Sequence, residues 1–495
     1  MAGIGFELRK LFVGRGVIRK LRAYTYAGVI CSGTMALTIA LLLILQYISR
    51  MFGASLRQRE LFHITMVYAL FLSMMLSSFF QTYLSRYVAD MIYQEKPEKI
   101  IPSLIGASIV LMIPGGVLYA LLLQTSGDLS ALQKLLNWML FMELVPIWLQ
   151  MTYITAAKDY RAIVAVFATG VALVFGLAFV LLWMGGDVTT SLQISLVVGY
   201  GMMLVGFMRV LLRYFPVGEG SAFAFVGWLS YVPDLLLTGF FGLAGAFAHV
   251  VIMWFSPMGE VVTGAFRQAS QFDAAAFYAF LVTIPTNVNF VVSVEVNFYG
   301  KYRRYFSEIT GGGTIRKIEI ARESMCASLQ QEVNKLVQIQ LFALIAYMLF
   351  MRYFLSSRGF GADMIHLFLV LSIGFSAFAL GNSLMLLLLY FNDRKGALTV
   401  SGIFFAANLI GSLLSFRGPA LFYGIGLPAG GLLMFLAARL RLNAYVRRID
   451  FHVFCAQPIF NVDRVGWWLR LAQRLDQRAL QRSAVQRKGI EQVAK

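Results

Sequence analysis

Residues 162–184 read AIVAVFATGVALVFGLAFVLLWM, an apolar run without a single charged residue. A helix rises about 1.5 Å per residue and the hydrocarbon core of a bilayer is about 30 Å thick, so about 20 apolar residues suffice to cross it. This stretch therefore reads as a membrane-spanning helix. A β-barrel strand would instead alternate polar and apolar residues over about ten positions, and no such alternation is present.

Working outward, the same signature recurs along the chain. Spans are expected near 25–48, 62–84, 101–123, 135–156, 162–184, 191–212, 225–255, 272–297, 334–355, 364–390, 397–415 and 419–438. The composition agrees. The 495 residues are 59% hydrophobic and 13% charged, where a soluble domain carries about 25% charge, and the mean hydropathy is +0.73. A cytosolic enzyme, a nucleic-acid reader and a disordered scaffold are excluded. The expected fold class is an all-α polytopic membrane protein of about 12 transmembrane helices.

The net charge of +18 follows from Lys and Arg gathered in cytoplasmic loops rather than from nucleic-acid binding. An even number of spans puts both termini on one side. Arg9, Lys10, Arg15, Arg19, Lys20 and Arg22 precede the first span, and the tail after the last span is again basic. The positive-inside rule therefore predicts cytoplasmic N- and C-termini. Arg50, Arg57 and Arg59 run against it, because they fall in an outer loop. The first apolar run is too long for a secretory h-region and reads as an uncleaved span.

The best domain boundary is Tyr214-Phe215-Pro216-Val217-Gly218-Glu219-Gly220-Ser221, a polar stretch that leaves six spans on either side. The expected organisation is a basic N-terminal helix over 1–24, an N-lobe over 25–213, a linker over 214–224, a C-lobe over 225–440 and a basic tail over 441–495. Three pieces look amphipathic. Residues 4–22 place Ile4, Leu8, Leu11, Phe12, Ile18 and Leu21 on one face. Residues 314–333 follow Gly311-Gly312-Gly313 and place Ile318, Ala321, Met325, Leu329 and Val333 on one face. Residues 463–490 combine Trp467, Trp468, Leu471 and Leu475 with Arg470, Arg474, Arg478 and Arg482. Such helices lie on an anionic leaflet or seat a cytoplasmic partner.

Much of the chemistry is decided by absence. There is no GxxxxGK[ST] phosphate loop and no Asp-x-Asp pair of the kind metal-dependent glycosyltransferases use. Cys31, Cys326 and Cys455 form neither a disulfide framework nor a CxxC site. His63, His249, His366 and His452 are scattered, and a lone interfacial His is usually structural. No catalytic residue, cofactor or metal is expected.

Charged and amide side chains inside a span are costly and mark functional positions. Glu143 is the deepest, in Leu140-Phe141-Met142-Glu143-Leu144-Val145-Pro146, and Asp234 follows Pro233 in span seven. Asp273 and Glu295 bracket span eight, with Arg267 just outside it. Mid-span eight reads Ile284-Pro285-Thr286-Asn287-Val288-Asn289, and span three holds Pro114-Gly115-Gly116. Pro114, Pro146, Pro233 and Pro285 are candidate helix breaks, which free backbone groups to meet a substrate. Trp148, Tyr153, Trp228, Tyr231 and Tyr278 lie near these polar positions. Aromatic faces beside amides and carboxylates suit a sugar path. Trp138, Trp183 and Trp254 fall near span ends and read as interfacial belt residues.

The opening Met1-Ala2-Gly3-Ile4-Gly5-Phe6-Glu7-Leu8-Arg9-Lys10-Leu11, the following spans, Tyr231-Val232-Pro233-Asp234 and the loop Tyr302-Arg303-Arg304-Tyr305 resemble the PelG family of bacterial Pel exopolysaccharide systems. The resemblance implies the multidrug/oligosaccharidyl-lipid/polysaccharide exporter superfamily, with two six-helix lobes around a central cavity. It implies a bacterial inner membrane and a biofilm polysaccharide rich in N-acetylgalactosamine. As partners it implies a cytoplasmic glycosyltransferase and further inner-membrane Pel subunits. The leading expectation is thus a polysaccharide exporter. A cation-coupled flippase or small-molecule antiporter of the same superfamily would use Glu143 or Asp234 as its ion site. A membrane-embedded glycosyltransferase lacks a motif here, and a non-transporting scaffold would not need the deep polar groups.

Overall fold

The computed structural model describes residues 17–157, 159–218, 221–455, 467–468, 470–472 and 474. The amphipathic segments expected over 4–22 and 463–490 lie largely outside the described residues. The side chain of Glu295 does too.

The chain is almost wholly helical. The first helices are α1 Val17–Met51, α2 Leu56–Tyr93, α3 Ile100–Gln124, α4 Ala131–Ala157, α5 Tyr160–Trp183 and α6 Val188–Tyr214. A short α7, Ala224–Trp228, precedes α8, Asp234–Trp254. A hairpin of β1, Glu260–Thr263, and β2, Phe266–Gln268, follows. Then come α9 Ser270–Phe280, α10 Ile284–Val292, α11 Tyr299–Thr310, α12 Ile315–Ser357, α13 Ala362–Tyr390, α14 Arg394–Phe416 and α15 Gly426–Arg447.

Among the described residues, eleven helical segments are long and apolar enough to cross a membrane. The expected first span corresponds to α1, of which Ala36–Met51 registers as a shorter apolar helix. Three expected spans differ in detail. Span seven does not start at 225: the helix begins at Asp234, because Pro233 disfavours helix at Val232 and cannot donate from its own nitrogen. Span eight runs over Ser270–Thr310 and changes character four times. A 3-10 turn, Leu281–Thr283, leads into α10, with Pro285 in its first turn, and a π-helical stretch, Ser293–Phe298, leads into α11. Span nine and the amphipathic piece before it are one helix, the 43-residue α12.

Helix starts are capped by short polar side chains. Ser55 and Gln58 form a reciprocal capping box on α2. Asp159 accepts from the Ala162 amide at 3.0 Å, Asp187 from Thr190 at 2.9 Å, and Asp393 from Gly396 at 3.0 Å.

The chain divides into two compact units. One takes in the described residues up to Ala40, Phe241–Val262, and those from Phe266 to Cys455; the other holds Leu41–Phe240, Thr263–Ala265 and the described residues from Trp467 on. The division passes through α1 and α8, and the expected linker 214–224 lies within the second of these units. Each unit is knitted by glycines at close helix approaches. A Cβ on Gly199 of α6 would sit 2.2 Å from Val174 of α5, and one on Gly431 of α15 would sit 2.8 Å from the Gly374 carbonyl of α13. Small residues let membrane helices approach closely where no hydrophobic driving force is available. Outward positions such as Leu118, Phe342 and Leu349 are apolar and exposed, as lipid-facing residues are.

Candidate functional site

In the unit holding Leu41–Phe240, α4 and α6 pack face to face along a seam with recurring polar groups. On α4 these are Gln133, Asn137, Glu143 and Gln150; on α6 they are Thr190 and Gln193, followed on the same face by Gly201 and Leu204. The spacing keeps Thr190, Gln193, Gly201 and Leu204 on one face of α6, while the α4 groups spread over a wider arc. Gln133 reaches Thr190 at 3.5 Å, and the Gln150 amide donates to the Leu204 carbonyl at 3.2 Å. Between these ties sits Glu143. Its Oε1 lies 3.3 Å from where a Cβ of Gly201 would be, so only glycine leaves the carboxylate this much room. Its Oε2 is buried and, among the described residues, has no hydrogen-bond partner. Gln193 is buried with neither amide atom satisfied, and the Gln150 carbonyl oxygen is also orphaned. Burying a polar group without a partner costs about 1–3 kcal/mol, so these orphans are places where water, a proton or a ligand would be welcomed.

Pro146 lies one turn beyond Glu143 and is buried inside α4. Pro114, inside α3, faces outward, and the adjacent Gly115 and Gly116 are pressed against Leu76 and Met142. Trp148 is half-buried and donates to Ser73 at 3.0 Å. Tyr153 is wholly buried, its hydroxyl 2.9 Å from Ser103. It packs the interior and presents nothing to a path.

The structure brings Trp228, Tyr231, Pro233 and Asp234 together at the bend between α7 and α8. The Tyr231 and Val232 amides both donate to the Trp228 carbonyl, at 2.9 and 3.1 Å. The Trp228 ring lies 5.8 Å from Tyr87 and 6.1 Å from Tyr231, an aromatic run with its Tyr231 end exposed. Tyr83 anchors the bend by donating to the Phe225 carbonyl. Asp234 is half-buried in the first turn of α8, where a carboxylate complements the helix dipole. Among the described residues no hydrogen bond or ion pair joins it to Glu143.

The other unit places its candidates differently. Arg267 and Asp273 both serve Trp254. The Arg267 Nε donates to the Trp254 carbonyl at 2.9 Å, and the Trp254 indole donates to Asp273 at 3.0 Å. Trp254 is buried, with its N–H spent on a carboxylate, and does not sit as a belt residue would; Trp183 is exposed. On the broken span Asn287 is exposed, whereas Asn289 is buried with both amide atoms unpartnered, as is the Ser293 hydroxyl. Pro285 stands at the break itself.

The reading from sequence missed Gln150, Gln193 and Gln340. Gln340 is fully buried in α12. It accepts from Thr286 and donates to the Val282 carbonyl at 3.0 Å and to Ser376 at 2.9 Å. The signal was available, since an amide buried in mid-span must find partners just as a carboxylate must. His249, treated as structural, is buried against Asn408, Phe272 and Phe375.

Comparison with known proteins adds the following. No match is found among curated proteins. Among solved structures, a point mutant of the Vibrio cholerae MATE transporter VcmN aligns with a TM-score of 0.59 at 13% identity, covering 90% of this chain and 98% of that one. An outward-facing multidrug resistance MATE family transporter of the MOP superfamily aligns at 0.55 and 13%, covering 85% and 96%. The eukaryotic MATE transporter AtDTX14 aligns at 0.53 and 14%, covering 88% and 99%. At these identities the likeness establishes the all-helical two-lobe fold alone. The family model PelG, exopolysaccharide exporter (EPS-E), matches residues 1–454. With a match over most of its length and a fold shared with membrane transporters, the chain belongs to the PelG family.

Proposed function

We propose that the chain exports a Pel-type polysaccharide, rich in N-acetylgalactosamine, from the cytoplasm to the periplasm across a bacterial inner membrane, with both termini cytoplasmic. The observation that carries the reading is the family match over residues 1–454. It is supported by the kind of polar groups the units hold: an unpartnered Glu143 carboxylate oxygen, an unpartnered Asn289 amide and the exposed aromatic run at Trp228 and Tyr231. Sugar rings stack their CH faces on aromatic rings, and their hydroxyls seek carboxylates and amides. Glu143, Asp234, Asn289 and Asn287 would supply those polar contacts. Nothing in this scheme requires a bond to be made or broken by the chain itself, so it acts as a transporter rather than an enzyme. A cytoplasmic glycosyltransferase would make the polymer, and further Pel subunits would hold it close. The amphipathic first half of α12, with Arg316 and Lys317, would lie at the inner surface beside them.

Glu143→Gln combined with Asp234→Asn tests the site. Polymer export is expected to fall while membrane insertion stays intact. Export at the level of the unaltered protein would remove both residues from the path. Affinity purification from native membranes tests the partners: a glycosyltransferase and small membrane proteins should co-purify.

The orphaned Oε2 of Glu143 also favours a second reading, a cation-coupled flippase in which Glu143 takes up the ion. Ion-dependent transport in proteoliposomes, lost on Glu143→Gln, would favour it.

A further inference from the structure

Where α12 passes from its amphipathic half into its apolar half, it stands beside the last turns of α15 and leaves a cavity of about 330 Å³ between them. That volume falls at the low end of small-molecule sites, about 300–1,000 Å³. Two arginines of α15, Arg439 and Arg447, line it, with the amides of Gln330 and Asn443 beside them. The α12 side is apolar, with Leu329 and Val333, and Leu442 and Val446 of α15 lie between the two arginines. The cavity therefore sets guanidinium and hydrocarbon groups side by side along its length.

The neighbouring carboxylates Asp393 and Asp450 are already engaged, and Glu332 is engaged through one oxygen, its other being buried without a partner among the described residues. Asp393 accepts from the Arg441 guanidinium at 2.6 and 3.0 Å. Asp450 is paired with Arg322 and takes the Tyr305 hydroxyl at 2.8 Å. Glu332 accepts from Asn297 at 2.9 Å. Among the described residues no carboxylate lies within ion-pair distance of Arg439 or Arg447. Arg439 is instead aimed by a hydrogen bond to the Asn334 side chain at 3.0 Å. Two guanidiniums held beside an apolar wall match a ligand with an anionic oxygen cluster and a hydrocarbon tail. A tail leaving the cavity would meet Leu440 and Leu436, which are exposed apolar residues one and two turns back along α15.

We propose that this cavity holds one anionic phospholipid, with its phosphate diester on Arg439 and Arg447 and an acyl chain along Leu329, Val333 and Leu442. Basic pockets between helices at the inner leaflet take such headgroups. The lipid would fasten the amphipathic half of α12 to α15, whatever the chain exports.

The full-length protein, reconstituted in phosphatidylglycerol or phosphatidylcholine nanodiscs and released for native mass spectrometry, tests this. One phosphatidylglycerol should stay bound, and Arg439→Gln with Arg447→Gln should weaken its retention about thirtyfold, the effect of two arginines at a leaflet. Asn443→Trp keeps both arginines and fills the cavity from an exposed position, and should lose the lipid equally. Alkylation of Cys326, which lines the cavity, should be slower in phosphatidylglycerol than in phosphatidylcholine when read by peptide. Equal retention of phosphatidylcholine, or retention unchanged in both variants, overturns the proposal. Displacement of the lipid by millimolar inorganic phosphate, with Cys326 then protected by phosphate alone, also overturns it in favour of a free anion.

Discussion

The α4–α6 seam and the broken span Ser270–Thr310 with its partner α12 both bury polar groups at mid-helix and, among the described residues, both leave some unpartnered, Asn289 and Ser293 in the broken span included, but they treat the central group in opposite ways. In the broken span the central amide, Gln340, makes bonds to Thr286, Val282 and Ser376, and so closes a helix break that would otherwise expose freed backbone. In the seam both helices are continuous, although Pro146 denies α4 one backbone hydrogen bond, and among the described residues Glu143 and Gln193 are left with unpartnered atoms. A satisfied polar group deep in a membrane protein is structure. An unsatisfied one is a standing cost that the fold does not require, and so is the better candidate for function.

The largest expected effect follows from removing the satisfied member. Gln340→Leu leaves the Val282 carbonyl and two hydroxyls without their partner and should destabilise the protein by about 2 kcal/mol, given about 0.6–1.7 kcal/mol per intramembrane hydrogen bond. Thermal unfolding in detergent measures it, and export should fall only as the amount of folded protein falls. A neutral outcome would break the comparison, because Gln340 would then not be holding the span together.

Glu143→Leu sharpens the other side. It deletes an orphaned buried oxygen, so stability should hold or rise by about 1 kcal/mol. Export should be lost all the same. A variant both less stable and normally exporting would mean that Glu143 is a structural residue.

The extent to which these two regions could be read from the sequence also differs, for a physical reason. The spans were legible because about 20 apolar residues have few alternatives to crossing a membrane, and Glu143 was legible because a charge stands out against them. Asp234 was legible as a charge within an apolar run but not in its place: a hydropathy window does not register that Pro233 stops the helix, so the residue moves from about a third of the way into the span to a helix start. Gln150 and Gln193 were missed because each is uncharged and stands singly, without the second amide that draws attention to Asn287 and Asn289. Tyr153 and Asp273 were overvalued because proximity in sequence does not reveal that Ser103 and Trp254 already occupy them. Partnership is a tertiary property, and it is the property that separates structure from site.

Gly201→Ala offers a smaller test of the seam. The added methyl would sit 3.3 Å from Glu143 Oε1. The carboxylate can yield by a small rotation, so stability should change by no more than about 0.5 kcal/mol, the range of a mild substitution. Export should drop partially if the space beside Glu143 is used. Normal export would place the substrate path on another face of α4.

The smallest effect expected is at a polar pair that lies outside the spans altogether. Arg57, in the first turn of α2, meets Asp128 at 2.5 Å across an exposed surface. The Thr263 hydroxyl and then the Arg57 guanidinium hold the Asp128 carboxyl below its ordinary value. A carboxyl depressed in the folded state contributes stability that is fully present above its unfolded value, about 3.9, and is lost as pH falls through the lowered folded value. Melting temperatures of the native chain and of Asp128→Asn should therefore differ slightly at pH 7, and the gap should close as the pH is taken below about 4. Added salt should narrow it at every pH, since the pair is exposed and screened. A gap that persists in strong acid would mean that packing, not charge, holds the two together.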